Sequence, residues 1–446
     1  MSSVDQTEYV RTVLFYLFLS YNPTLCSENE EPFLYKRSPD YLNKRFFEWK
    51  PAKSAFTLDV ETINYSDNYT LKQLYLLSRH GSRKPAIQQV QSLDKLDKAF
   101  ENAPVAKEWG KNPFTVENNF RLGKRGKIEP YYNGLQSLKR YEKFWKNVKY
   151  DADVVKFQTA DRFWISQSAI SYSEGLLDGT GTVGMCKNEP VYIWSFRWNH
   201  DYFLEMFTNC LRWNETVLNN FTEYIEQTYT YGNKTLAPIA EKLTKKYNIN
   251  PPLDPQLVPY IYTYCDFLVL HYNRADTWCA LLSDDELILA RYYWATRNYY
   301  QYSYGHILLM KKMGCAYLTQ FVNSVNDYLN GNSRMVADLK FAHGFTESLV
   351  LTTLGVYKNK YPSTADLTLE QIKSLKYTEP KVTYWSSTMY FEIYTSPSND
   401  ALIRLVVNFE PYVIPGCDGE YCEWSKFKSI LGDKINCDFE KMCAYP

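Results

Sequence analysis

A histidine between two arginines follows a short apolar run near residue 80. The segment Arg79–Pro85 reads Arg-His-Gly-Ser-Arg-Lys-Pro, and Leu74–Leu77 comes just before it. A guanidinium is a rigid fork of donors that matches phosphate oxygens, and its charge keeps a neighbouring imidazole neutral and nucleophilic. We therefore interpret His80 as a nucleophile toward phosphorus inside an anion pocket made by Arg79 and Arg83. The alternative is a basic surface loop that follows a strand.

Two other places repeat this arrangement of a strand-like run, a polar turn and a helix-like segment. Val154–Phe157 leads to a turn that ends at Arg162, and Val336–Ala342 leads to the turn His343–Glu347. In an open α/β sheet, residues just past the carboxyl ends of the strands meet in one crevice. We expect His80, Arg83, Arg162 and His343 to converge there, although they lie far apart in the sequence.

A long aromatic segment separates the second and third units. Residues 186–297 carry helix-like patterns and are predicted to form a helical cap inserted into an α/β core of residues 32–185 and 298–446. Tyrosine-rich runs such as Tyr260–Tyr264 fall in this predicted cap. Met389–Tyr394 and Ala401–Phe409 flank a turn-like stretch, which predicts a hairpin completing the sheet.

Charge and length exclude several classes of protein. The 446 residues include 50 Lys and Arg against 50 Asp and Glu, so bulk charge does not hold this chain to nucleic acid or to an acidic membrane. No stretch approaches the roughly 20 apolar residues that span a bilayer. We expect neither nucleic acid binding nor stable membrane insertion.

Several features favour export from the cell. The apolar run Val13–Leu19 follows Arg11, so residues 1–27 are predicted to be a signal peptide, with a buried helix start as the alternative. Five Asn-x-Ser/Thr sequons are candidate glycosylation sites. They start at Asn64, Asn68, Asn214, Asn220 and Asn233. The predicted location is secreted or in the lumen of the secretory pathway.

The ten cysteines fit this compartment. Neighbours in sequence suggest four local disulfides, Cys186 with Cys210, Cys265 with Cys279, Cys417 with Cys422 and Cys437 with Cys443. Cys315 is then left as an unpaired buried thiol. Zinc is the competing interpretation, from the four C-terminal cysteines or from Cys265, His271 and Cys279. Neither set has the closely spaced Cys-x-x-Cys pairs of common structural zinc sites, so no metal is expected.

The segment Arg79–Pro85 resembles the Arg-His-Gly-x-Arg-x-Pro hallmark of the histidine acid phosphatases, and within them the multiple inositol polyphosphate phosphatases. Weaker similarity extends the resemblance over roughly Tyr35 to Cys422. It implies a three-layer α/β core with an α-helical cap. It also implies that His80 is transiently phosphorylated and that Arg162 and His343 join the two motif arginines in holding the phosphate. Lys84, inside the same loop, is the predicted substrate contact.

One departure from the family pattern concerns the proton donor. The inositol phosphatases carry His-Ala-Glu, where the glutamate protonates the leaving oxygen, but this chain places Phe345 at that position. Glu347 lies two residues further along, and a shifted turn would make it the donor. The alternative is that Glu347 only occupies the first turn of a helix, where the helix dipole favours it.

The leading hypothesis is a phosphoric monoester hydrolase without cofactors that acts on small phosphorylated substrates, inositol polyphosphates first among them. The rival is a binder of inositol phosphates or phosphate that keeps the anion pocket and lacks the acid. An enzyme that moves phosphate between positions of one sugar or glycerate is a third hypothesis, which the long cap and export features disfavour. The sequence leaves the oligomeric state open.

Overall fold

The structure is a computed structural model that describes residues 68–184, 187–219 and 222–445. The predicted leader 1–27, the sequons at Asn64 and Asn220, and Cys186 lie outside the described residues.

The described strands form one mixed sheet, and helices make up much of the rest. The strands are β1 (Thr70–Arg79), β2 (Val155–Thr159), β3 (Ile193–Trp194), β4 (Ala337–Ala342), β5 (Thr388–Thr395), β6 (Ala401–Val407), β7 (Glu410–Tyr412) and β8 (Cys422–Glu423). The α-helices are α1 (Ile87–Phe100), α2 (Ala106–Trp109), α3 (Lys124–Arg140), α4 (Glu142–Trp145), α5 (Phe163–Leu176), α6 (Leu211–Trp213), α7 (Thr222–Tyr231), α8 (Ala237–Tyr247), α9 (Val258–Tyr272), α10 (Asp284–Tyr302), α11 (Ile307–Met313), α12 (Cys315–Leu329), α13 (Gly344–Leu354), α14 (Leu369–Lys373), α15 (Glu379–Val382), α16 (Trp424–Leu431) and α17 (Phe439–Cys443).

The strand order is β3-β2-β4-β1-β5-β6-β7, with β8 beside β6. Strands β3, β2, β4 and β1 run parallel, and β5 pairs with β1 and β6 in antiparallel fashion. The predicted hairpin is therefore confirmed as β5 and β6. The register sets Arg79 beside Ala342 and Thr159 beside Phe341, so the carboxyl ends of β1, β4 and β2 coincide at one edge of the sheet.

Helices cover both faces of the sheet. On one face the ring of Tyr172 on α5 lies 5.2 Å from Phe341 on β4. On the other face Phe321 on α12 lies 4.8 Å from Tyr75 on β1. Central parallel strands buried on both faces need apolar sequence, which Leu74–Leu77 supplies in β1. Strand β4 also buries two charged residues, Asp338 and Lys340, which pair with each other. The sheet between its two layers of helices is the predicted three-layer α/β core.

Buried apolar side chains form two clusters whose membership differs from the predicted cap limits. The first surrounds the sheet and includes Leu204 and Trp213, which the sequence placed in the cap. The second joins α8, α9 and α10 to α1 and to Ile372 of α14, which the sequence placed in the core. The helical unit is thus assembled from separate chain segments, because α1 packs its apolar stripe against α9 rather than against the sheet.

The disulfides agree only partly with the predicted local pairs. Cys265 bonds Cys279 and Cys417 bonds Cys422, as their spacing suggests. Two other expectations were wrong. Cys210 bonds Cys443 across a separation of 233 residues, and Cys315, expected to be unpaired, bonds Cys437. Packing of α17 against α6 brings the first of these pairs together, which sequence distance does not show.

The long-range disulfide predicts a stability difference. Replacing Cys210 and Cys443 together by serine removes a cross-link over 233 residues and is expected to lower the free energy of unfolding by about 2–5 kcal/mol, through a larger unfolded-state entropy. Urea denaturation measures the change. The matched control is Cys417→Ser with Cys422→Ser, whose bond spans only 5 residues and whose loss is expected to be smaller. Equal losses in the two double variants would contradict this account.

Candidate active site

The crevice at the carboxyl ends of β1, β2 and β4 holds the predicted site residues. His80 directly follows β1, and its backbone N–H donates to the Ala342 carbonyl at 3.0 Å, which continues the sheet register by one residue. Arg162 is the last residue before α5, and His343 is the last residue before α13. The rings of His80 and His343 lie 5.6 Å apart, centroid to centroid.

His80 is held as a neutral imidazole. Its Nδ1 lies 2.9 Å from its neighbour's carbonyl, the oxygen of Gly81, so Nδ1 carries the proton as donor and Nε2 keeps the lone pair. Burial first, and then the charges of Arg83 and Arg79, hold the pKa of His80 well below its ordinary value. The side chain is 2% exposed. The ring is thus uncharged at neutral pH, as the motif predicts.

Arg79 and Arg83 are held against aromatic faces beside His80. The guanidinium of Arg79 lies 4.0 Å from the ring centroid of Trp385, and that of Arg83 lies 4.5 Å from the ring of Phe120. Trp385 is itself 5.4 Å from the ring of His80. Cation–π contacts fix the planes of the two guanidinium groups without neutralising their charge. Nη1 of Arg79 also donates to the carbonyl of Thr383, and Nη1 of Arg83 donates to that of Lys84 at 3.0 Å.

Arg162 and His343 share a carboxylate that the sequence did not point to. Oε1 of Glu205 lies 2.9 Å from Nε2 of His343 and 3.4 Å from Nε of Arg162. Glu205 lies in a stretch of turns, because the Asp201 carboxylate accepts from the backbone N–H groups of Phe203 and Leu204 and stabilises a turn there. Arg162 and His343 lie beside the motif residues. We call the whole set the cationic cluster: Arg79, His80, Arg83, Arg162 and His343.

The loop after His80 is fixed by close backbone packing. A Cβ on Gly81 would lie 1.7 Å from the Gly126 carbonyl oxygen, so only glycine fits where the loop meets α3. The Gly81 N–H donates to Oγ of Ser168, and the Ser82 N–H donates to the buried carboxylate of Glu129 at 2.8 Å. Gly81 is therefore needed for packing against α3, a role that the motif alone did not show.

Lys84 lies half-buried at the end of this loop. Its N–H donates to the carbonyl of Arg121 at 2.8 Å, which places it beside the start of α3 and close to the cationic cluster. His271 on α9 lies 3.0 Å through Nε2 from the carbonyl of Arg83, and burial lowers its pKa to about 4. A neutral His271 thus ties the helical unit to the loop, a contact that its position in tyrosine-rich sequence did not reveal.

Glu347 lies beneath the loop that follows β1. Its Oε1 accepts from the backbone N–H of Arg79 at 3.1 Å, and its Oε2 accepts from the hydroxyl of Ser387. The side chain is 2% exposed, and burial raises its pKa to about 8. Both oxygens are engaged beneath the loop, where Glu347 supports the end of β1. These contacts favour its structural role, and its role as the acid stays a prediction.

Phe345 turns away from the cationic cluster. Its ring stacks on Tyr302 with centroids 3.8 Å apart and an interplanar angle of 6°. Phe207 packs edge-on against the same ring at 6.0 Å and against His343 at 5.7 Å. The position at which the resembling phosphatases carry their acid is thus part of an aromatic stack.

Electrostatics at this site come from side chains. In the described ranges, no group of three or more histidine, cysteine, aspartate or glutamate side chains could hold a metal ion. Guanidinium groups preorganised in a partly dry crevice can stabilise the charge that develops on a phosphoryl group. Among the contributors, Glu205, Trp385 and Phe120 were missed by sequence reasoning, since nothing in their spacing marks them.

Comparison with known proteins places this geometry in a family. Residues 70–408 match the model described as histidine phosphatase superfamily, branch 2. Multiple inositol polyphosphate phosphatase 1 of Dictyostelium discoideum is 24% identical over 421 residues, which cover 81% of this chain and 66%, just under two thirds, of that protein. Phytase A of Aspergillus oryzae is 21% identical over 408 residues, covering 83% and 84%.

Solved structures share the fold. The phytase from D. castellii superposes with a TM-score of 0.69 at 16% identity, covering 93% of this chain and 90% of that one. The multiple inositol polyphosphate phosphatase of Bifidobacterium longum, in complex with inositol hexasulfate, has a TM-score of 0.67 at 13% identity, covering 86% and 97%. At these identities the likeness shows an α/β fold with a helical unit, as the sequence predicts.

The buried carboxyl of Glu347 predicts a pH-dependent stability. Its pKa rises from 4.5 to about 8 on folding, so between these values the folded chain binds more protons than the unfolded chain and the free energy of unfolding falls as pH rises. Glu347→Gln mimics the protonated acid. The stability of the natural protein relative to this variant is expected to fall by on the order of a few kcal/mol from about pH 5 to about pH 8. Urea unfolding at both pH values measures it, and an unchanged difference would refute the assignment.

Proposed function

The chain belongs to the histidine phosphatase superfamily, branch 2, which confirms the predicted class of phosphoric monoester hydrolase. On that premise we propose that it hydrolyses inositol polyphosphates through a phosphohistidine on His80. The observation that carries the proposal is the convergence of the cationic cluster at three strand ends. Arg79, Arg83, Arg162 and His343 would bind the phosphoryl oxygens, while Nε2 of His80 attacks phosphorus. Water would then hydrolyse the phosphohistidine.

Basic side chains beside the loop support a substrate with several phosphates. Arg121, Lys124 and Lys127 are exposed, and Lys84 is hydrogen-bonded to the same stretch of chain through its backbone. One cationic cluster suffices for a single phosphate, so further cations nearby favour an ester that carries additional phosphates. The names of the Dictyostelium and Bifidobacterium relatives point to the same substrate class.

We also propose that the protein is secreted or resides in the secretory lumen. Four disulfides among the described cysteines fit an oxidising compartment. The sequon residues Asn68 and Asn233 are exposed, so glycosylation there is sterically possible. In the described part of the chain, no helix is both long enough and apolar enough to cross a bilayer.

A second function is favoured by one specific observation. Phe345 stacks on Tyr302 where the resembling enzymes carry an acid, and both oxygens of Glu347 are engaged beneath the loop. A protein that binds inositol phosphates or phosphate tightly without turning them over would show this pattern. Assays with inositol hexakisphosphate and p-nitrophenyl phosphate separate the two functions, since the binder holds the first ligand and hydrolyses neither.

The phosphohistidine predicts a chemical trap. When a reaction with ³²P-labelled substrate is quenched rapidly without acid, the protein is expected to carry acid-labile label. The variant His80→Ala is expected to show neither label nor turnover. The matched control is His306→Ala, because His306 lies beside Glu223 at 3.8 Å and outside the cationic cluster. Full activity of His80→Ala, or label of equal size in both variants, would reject the mechanism.

The exposed lysines beside the loop, Lys124 and Lys127, predict a selective effect on substrate binding. Lys124→Ala with Lys127→Ala is expected to raise KM several-fold for inositol hexakisphosphate, since each exposed contact contributes about 0.5–1 kcal/mol, and to leave KM for p-nitrophenyl phosphate unchanged. Steady-state kinetics at fixed ionic strength measure both. The control is Lys245→Ala with Lys246→Ala, an exposed pair in the last turn of α8. An equal rise in KM for both substrates would contradict the proposal that these lysines contact the additional phosphates of a polyphosphate substrate.

A further inference from the structure

Glu205 is a carboxylate that contacts two members of the cationic cluster, Arg162 and His343. Its Oε1 is shared between Nε2 of His343, at 2.9 Å, and Nε of Arg162, at 3.4 Å. Its Oε2 accepts from the hydroxyl of Thr208 at 2.8 Å. The side chain is only 1% exposed, so its orientation is held by these contacts.

The two partners of Glu205 are more exposed than Glu205 itself. The side chain of His343 is 15% exposed and that of Arg162 is 30% exposed. A phosphoryl group bound by both would sit between the ring of His343 and that of His80, which are 5.6 Å apart. Because the Glu205 carboxylate contacts both His343 and Arg162, it borders the position that such a phosphoryl group would occupy.

We propose that Glu205 is the general acid and base of this enzyme, taking the role that Phe345 cannot fill. The inference rests on the proposed phosphohistidine mechanism, and it adds a catalytic residue from the segment between β3 and α6 in place of the one expected after β4. Glu347 differs from Glu205 in its partners. Its oxygens accept from the backbone N–H of Arg79 and from Ser387. Those of Glu205 contact the side chains of Arg162, His343 and Thr208.

Glu205 gives up one proton in the first step of the reaction and regains one in the second. In the first step Nε2 of His80 forms a bond to phosphorus, the bond from phosphorus to the ester oxygen breaks, and the Glu205 carboxyl gives its proton to that oxygen to form the alcohol. In the second step water attacks phosphorus and gives a proton to the Glu205 carboxylate. The phosphorus–nitrogen bond then breaks and phosphate leaves.

Substrate binding supplies the protonated form that the first step needs. In the free protein burial alone would raise the pKa of Glu205, but the charge and hydrogen bond of His343, with Thr208 and Arg162, hold it below its ordinary value. A bound phosphate would take up the donors of His343 and Arg162 and would add negative charge beside Glu205, and both changes would raise the pKa of this carboxyl. Protonation of Glu205 is thus coupled to occupation of the cationic cluster.

Leaving-group dependence tests the assignment. In Glu205→Gln, first-turnover cleavage of an inositol phosphate is expected to fall about 10²–10⁴-fold, because an alkoxide must leave unprotonated. First-turnover release of dinitrophenol from 2,4-dinitrophenyl phosphate is expected to change less than about threefold, since this leaving group needs no proton. The phosphohistidine formed from it should then persist longer than in the natural protein, because the base for the second step is missing.

Controls separate this role from positioning and from misfolding. A carboxylate that only orients Arg162 and His343 would, when replaced, slow both esters alike, and that outcome overturns the proposal. Glu226→Gln, an exposed glutamate on α7, is expected to change neither rate. Glu205→Asp keeps a carboxyl and should restore part of the inositol phosphate activity. In the unmutated protein, a steep fall of the first-turnover rate with rising leaving-group pKa would also overturn it.

The outcomes distinguish this inference from the function on which it rests. If the unmutated protein forms phosphohistidine and Glu205→Gln cleaves both esters as fast as the unmutated protein does, only the assignment of Glu205 fails. If the unmutated protein forms no phosphohistidine from either ester, the proposed function fails first.

Discussion

The coincidence of three parallel strand ends is the constraint on which the site depends. The backbone bond from His80 to Ala342 extends the pairing of β1 with β4 past Arg79, and β4 is in register with β2 up to Thr159. The three strands therefore end at the same level of the sheet, and the first residues after each strand face one crevice. A slip of one residue in either pairing would turn the emerging side chains to the other side of the sheet.

Three buried acidic side chains lie around the crevice. Glu347 accepts from the backbone of Arg79, Glu129 accepts from the backbone of Ser82, and Glu205 pairs with Arg162 and His343. The first two bind main-chain N–H groups, and burial raises the pKa of both. Burial would raise the pKa of Glu205 too, but this carboxylate forms its contacts with side chains, which hold its pKa below the ordinary value.

Aromatic rings serve two separate purposes in this molecule. Around the crevice the packed rings are tryptophan and phenylalanine, which lie over the arginines. Tyrosines instead fill both buried clusters, Tyr172 and Tyr390 by the sheet and Tyr231 in the helical unit. Their hydroxyls have partners, as in the 3.1 Å contact between Tyr172 and Tyr390. The tyrosine excess is thus used in both cores and is not confined to the predicted cap.

The sequence by itself identified the candidate nucleophile His80, the arginines beside it and the strand–turn–helix units that carry them, because these depend on local patterns and on a motif continuous from Arg79 to Pro85. It also indicated the hairpin and the two short disulfides. Only the tertiary structure decided the partners of Cys210 and Cys315, the packing of α1 with the helical unit, the support role of Glu347 and the place of Glu205. The physical reason is the same in each case. These features are contacts between segments far apart in the chain, formed when the sheet register and helix packing bring them together, and no spacing along the sequence encodes such a distance.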